Sequence, residues 1–123
     1  MVRIEHSGRT VAADVVAFGV VWSGELPEGS QVAFVAVVTS DSGEEVVELC
    51  YEPPTGGAEA QYVVDRATGR RRDVDPDVTD SDGEVTVRFS AEVVGVAVDW
   101  PLWQAVIRAG GEEIARKAMP VTF

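Results

Sequence analysis

His6 and Cys50 carry the readiest acid–base and nucleophilic chemistry in the chain, and each residue type occurs once. Cys50 alternates with Glu48 and Glu52, so on a strand the thiol shares its face with two carboxylates. Neighbouring negative charge raises a thiol pKa, the wrong direction for a nucleophile. No serine sits in a nucleophile-elbow pattern, and Gly56-Gly57 lacks the strand–helix setting of a phosphate loop. Catalysis would need His6, Cys50 or a carboxylate pair to converge in a cleft, and no motif assembles one. The expectation is a protein that is not an enzyme.

The metal candidate is the acidic run from Asp73 to Glu84. Asp73, Asp75, Asp77 and Glu84 stand at relative positions 1, 3, 5 and 12, the spacing at which a twelve-residue calcium loop takes oxygen ligands. A cation there would relieve the mutual repulsion of the carboxylates. Three features point instead to a solvated acidic turn. Val78 holds position 6, where the sharp turn needs glycine; Pro76 stiffens the middle; and the run leads into a strand. Calcium is the one cofactor this spacing allows, and none is otherwise expected. Just before the run, Arg70-Arg71-Arg72 could grip a phosphate or carboxylate. Pairing with Asp65, Asp73, Asp75 and Asp77 is the simpler account in an acidic chain.

Trp100-Pro101-Leu102-Trp103 gathers two of the three tryptophans within four residues. Proline fixes the bend between them, so the two indoles can point to different sides; the pair reads either as an interface anchor or as a ring that plugs the end of the core.

The elements that position these residues read as strands. The chain has 24 Val against three Leu and three Ile, and Val suits a pleated sheet better than a helix. Glycine-bearing turns divide it into short apolar pieces. Val2–His6 is a first strand, closed by a Ser7-Gly8 turn, and Thr10–Trp22 is a long strand bending near Gly19. Gln31–Thr39 and Glu44–Tyr51 flank an Asp41-Ser42-Gly43 turn. A Pro53–Gly57 loop leads to a strand at Gln61–Asp65, and Arg66–Asp82 is a polar connection. Glu84–Ser90 alternates cleanly, and Glu92–Val98 follows as a strand. Trp103–Ala109 and Glu112–Ala118 form a hairpin about Gly110-Gly111, although Glu112–Ala118 could also make helical turns. Pro120 interrupts the strand before Val121 and Phe123.

At 123 residues the chain fits one domain, spanning 1–123. The fold class is all-β, a two-sheet antiparallel sandwich of about eight strands, with a small closed β-barrel as the alternative. Net charge is −11, which makes nucleic acid and anionic lipid surfaces poor partners. Nine Arg, one Lys and no Asn suggest GC-rich coding, and the acidity suits a salt-loving source. One cysteine allows neither an internal disulfide nor a Cys-based zinc site. The amino-terminal Met1–His6 lacks the apolar core of a signal peptide and no charge-free apolar run is long enough to span a bilayer, so a soluble chain without a secretory address is expected.

The strand–turn–strand about Asp41-Ser42-Gly43 and the Asp82-Gly83 turn entering Glu84–Val87 resemble immunoglobulin-like and fibronectin-type sandwich modules. The resemblance implies that fold and an adhesive or structural role.

Several strands carry apolar residues on both faces. Val16, Phe18, Val20 and Trp22 oppose Val11, Ala13, Val15, Ala17 and Val21; Val32, Phe34, Ala36 and Val38 oppose Ala33, Val35 and Val37; and Val93–Val98 has no polar side chain. Bare to water, the second faces would exceed the apolar patch a monomer tolerates. The leading expectation is a structural or adaptor module that self-associates or packs on a larger assembly, such as a virion or cell-surface structure. Its interface candidates are Trp100, Leu102, Trp103, Phe18, Val35 and Val37. A barrel binding an apolar ligand among Ala13, Ala33 and Ala36 is the second reading, and an enzyme or enzyme subunit the third.

Overall fold

Val85, Val87 and Phe89 are buried along one side of their strand while Glu84, Thr86 and Arg88 point away. That period-two burial recurs through most of the chain and creates two layers. The computed structural model describes residues 1–54 and 57–120. The centre of the Pro53–Gly57 loop and the expected strand end at Val121 and Phe123 lie outside the described residues.

Ten strands form two antiparallel sheets among the described residues. They are β1 (Arg3–Val11), β2 (Val15–Ser23), β3 (Val32–Thr39), β4 (Val46–Glu52), β5 (Ala60–Asp65), β6 (Arg70–Val74), β7 (Val78–Ser81), β8 (Glu84–Ser90), β9 (Leu102–Ala109) and β10 (Glu112–Ala118). One sheet has the order β1-β2-β8-β7, and the other β10-β9-β3-β4-β5-β6. The sheets remain separate, so the fold is a sandwich and the closed-barrel alternative is set aside. Between them Val16, Phe18 and Val20 meet Phe34, Leu49, Tyr51 and Ile107, and Phe18 stacks on Phe89 at 6.3 Å between centroids.

Both open sides of the sandwich are tied. On one, the edge strands β1 and β10 each carry an irregularity in register and approach one another. There the Ser7 hydroxyl donates to the Ala118 carbonyl at 3.0 Å, and the Arg9 backbone N–H donates to Pro120 O at 3.1 Å. On the other side, the buried Gln61 amide reaches across. Its Nε2 donates to Arg88 O and its Oε1 accepts from Asp77 N, both at 2.7 Å.

Four sequence expectations are corrected. Ser7-Gly8 is no turn, because β1 continues through it, with Gly8 opposite Gly19 on β2. Thr10–Trp22 is not one strand: the chain reverses at Ala12-Ala13-Asp14, where Ala12 N donates to Val15 O at 2.9 Å. The polar stretch 66–82 contains β6 and β7, since its short alternating segments pair with β5 and β8. Residues 92–98 are helical. Ser90 caps α1 (Ala91–Val94) by accepting from Val93 N, Glu92 sits in the first turn, and Gly95 at φ 68° ends it. A 3₁₀ turn over Gly95–Asp99 follows, and Val94 and Ala97 from this segment join the core. The Gly110-Gly111 hairpin forms as expected, with both glycines at positive φ.

Candidate functional site

The outer face of the six-stranded sheet decides where a partner could bind. Register aligns Val106, Val35, Cys50 and Tyr62 in one row across β9, β3, β4 and β5. Val35, Cys50 and Val106 are fully buried although they point away from the core, and Ala33, Val37 and Tyr62 pack around them. Their cover comes from the chain itself. Arg108 Nη1 and Nη2 donate to Glu48 Oε1 and Oε2 at 3.1 and 2.6 Å, and Arg66 Nη1 donates to Oε2 at 2.7 Å. Arg108 therefore lies diagonally across β3 to reach β4, spreading its stem over apolar neighbours. Farther along, the Tyr62 hydroxyl donates to Glu52, and Arg71 lies 3.6 Å above the Tyr62 ring while pairing with Asp73.

Electrostatics follow from this cover. Burial pushes the Glu48 carboxyl up, but its hydrogen bond and charge pairing with Arg108, then Arg66, hold it below the usual range. The Cys50 thiol is pushed up to about 12, first by burial and then by the Glu48 charge. Burial and the raised pKa both oppose thiolate formation at Cys50 in the folded protein. His6 lies exposed on the other sheet, facing a depression near Gly8, Gly19 and Glu84. His6 and Cys50 occupy opposite sheets and do not converge.

The interface candidates divide. Phe18 is 1% exposed in the core, so it cannot meet a partner. Trp103 is 3% exposed; its indole N–H donates to Trp100 O at 2.8 Å and Arg9 lies 4.8 Å from its ring centroid. Val35 lies beneath the Arg108–Glu48 pair. The reason is common to all three: an apolar residue on a strand was covered by elements distant in sequence. Trp100 is half-buried against the core. Leu102 remains 54% exposed, and with Pro101, Val37, Met119 and the edge of Trp103 it lines a groove of about 540 Å³. Three of the six candidates thus come together, at the β9–β10 margin of the sheet.

The acidic candidates do not assemble. Asp73 pairs with Arg71, Asp77 pairs with Arg88, and Glu84 stands at the far end of the β7–β8 hairpin. Pro76 lies where the chain crosses from one sheet to the other, which separates Asp73 from Asp77. No group of three potential metal ligands forms among the described residues. Of the arginine triplet, Arg71 is engaged by Tyr62 and Asp73, in keeping with the pairing account. Ala13 is exposed in a turn, Ala33 is on the outer face and Ala36 is in the core, so the three do not line a cavity. No helix is long and apolar enough to cross a membrane among the described residues.

Sequence reasoning missed Arg108 and Glu48, and it missed a pocket at the Trp22 end of the sandwich. A charge embedded in an apolar strand, as in Val47-Glu48-Leu49 and Ile107-Arg108-Ala109, was the available signal. Comparison with known proteins finds no matching family, curated protein or solved structure.

Proposed function

We propose that the chain is a non-catalytic, immunoglobulin-like module whose copies join an assembly through the groove at the β9–β10 margin. Strand order supports the fold assignment. The sheets β1-β2-β8-β7 and β10-β9-β3-β4-β5 follow the variable-type order A-B-E-D and G-F-C-C′-C″, with β6 as one added strand. The Trp103 hydrogen bond to Trp100 supports it too, because immunoglobulin domains place a tyrosine hydroxyl at that corner.

The observation that carries the function is Leu102, a large aliphatic side chain left more than half exposed beside Pro101, Val37 and Met119. Elsewhere on this sheet the chain covers its own apolar residues; here it does not. Cys50 is buried, and His6 lies exposed on the opposite sheet.

Each copy carries −11, so repulsion opposes pairing and salt relieves it. Sedimentation at about 100 μM protein should show association that strengthens from about 0.1 to about 2 M salt. Leu102→Asp should abolish it by placing a charge in the apolar contact. Monomers in both salts, or association that survives Leu102→Asp, refute the proposal.

A further inference from the structure

The opposite end of the sandwich holds a second concave surface. Trp22 at the end of β2, Leu26 in the β2–β3 loop, Phe34 on β3 and Pro53 after β4 enclose a pocket of about 350 Å³. Trp22 and Phe34 pack together with centroids 4.8 Å apart, giving the pocket an aromatic wall. The β7–β8 hairpin also lines it, contributing Asp80 from β7 and Asp82 from the turn. Glu25 and Glu28 line an adjoining hollow with Trp22, Leu26 and Asp82.

The charge at this end is unbalanced. The ion pairs of the described residues join Arg3 to Glu5, Arg66 and Arg108 to Glu48, Arg71 to Asp73, Arg88 to Asp77, and Arg116 to Glu113. None involves Glu25, Glu28, Asp80 or Asp82. Asp80 and Asp82 thus line the apolar, aromatic pocket and Glu25 and Glu28 the adjoining hollow, and no ion pair of the described residues engages these four.

We infer that this pocket docks an arginine side chain presented by a partner polypeptide. The apolar walls suit its three-carbon stem, the Trp22 face suits a guanidinium stacked on it, and Asp80 and Asp82 supply acceptors for its N–H donors. Lipid headgroups and nucleic acid are poorer occupants because their phosphates would meet these carboxylates. The inference is independent of the Leu102 groove, which lies at the other end of β3.

The test is an NMR titration that follows the Trp22 indole N–H with capped Gly-Arg-Gly, Gly-Leu-Gly and Gly-Glu-Gly peptides. The arginine peptide should saturate the shift below about 10 mM and weaken about tenfold from about 0.05 to about 0.5 M salt. The Asp80→Asn/Asp82→Asn variant should lose about tenfold in affinity. Asn-Gly suits the β7–β8 turn as well as Asp-Gly does, so that variant retains the hairpin. No Trp22 shift with the arginine peptide, equal binding of the leucine peptide, or undiminished binding by the double variant would overturn the inference.

Discussion

Replacing Arg108 by Met tests whether the outer sheet face is closed by an ion pair or merely decorated by one. Methionine keeps an unbranched stem over Val35 but removes the bidentate donor to Glu48. The Glu48 side chain is 6% exposed and would retain only Arg66, itself 57% exposed. Removing one partner of a fully buried pair costs about 3–5 kcal/mol. Arg108 is 26% exposed and Arg66 stays, so the expected cost is about 2–3 kcal/mol, or roughly 10 °C in Tm. Because the folded Glu48 pKa is depressed, the pair's stabilisation is present above the unfolded value of 4.5 and is lost as pH falls through the folded pKa. The penalty should accordingly be complete at pH 7 and shrink in acid. The double variant Glu48→Leu/Arg108→Met removes both charges and should recover to within about 1 kcal/mol of the parent. Urea unfolding of the three proteins at pH 7 and in acid supplies the measurement. A single-variant loss below about 0.5 kcal/mol, or a double variant no better than Arg108→Met, would refute the closed-face account.

Two further outcomes follow from the same geometry. Cys50 is buried with its thiol pushed up to about 12, so disulfide reagents at pH 8 should modify it only as fast as the protein unfolds; rapid labelling of the folded protein contradicts that burial. Gln61→Leu strips two backbone groups, Arg88 C=O and Asp77 N–H, of their bridge between the sheets and should cost about 2–3 kcal/mol, read from the urea midpoint. An unchanged midpoint would show that the amide does not hold that side of the sandwich together.

The sandwich was legible because alternation is a local signal. Glu84–Ser90 was bounded to the residue, and the Gly110-Gly111 hairpin follows from two adjacent glycines at positive φ. Where two local signals competed, the reading failed. The Val-rich stretch 92–98 favours a strand by composition, yet Ser90, Glu92 and Gly95 cap and end a helix there. Within Thr10–Trp22 no Gly or Pro marks the reversal at Ala12-Ala13-Asp14, so the hairpin is visible only once β1 and β2 are paired. The β6 and β7 edge strands were hidden by polarity, as is common for strands that border a sheet.

The candidate site is less legible because alternation displays apolar faces one strand at a time, while their cover arrives diagonally from other strands. Val35 looks exposed when β3 is read alone, since Ala33, Val35 and Val37 point away from the core. It becomes buried once β9 lies beside it and Arg108 reaches over it to Glu48. The same register leaves Leu102 at the sheet margin, beyond the reach of that pair, and leaves Trp22 and Phe34 beside a hairpin whose charged residues at the pocket are Asp80 and Asp82. In a chain with twice as many acids as bases, the cations are concentrated on the faces of the sheets. Arginines close the middle of the broad face, while Leu102 stays exposed at one end and Asp80 and Asp82 join no ion pair of the described residues at the other. The two proposed contacts accordingly fall at opposite ends of β3, the Leu102 groove at one and the Trp22 pocket at the other.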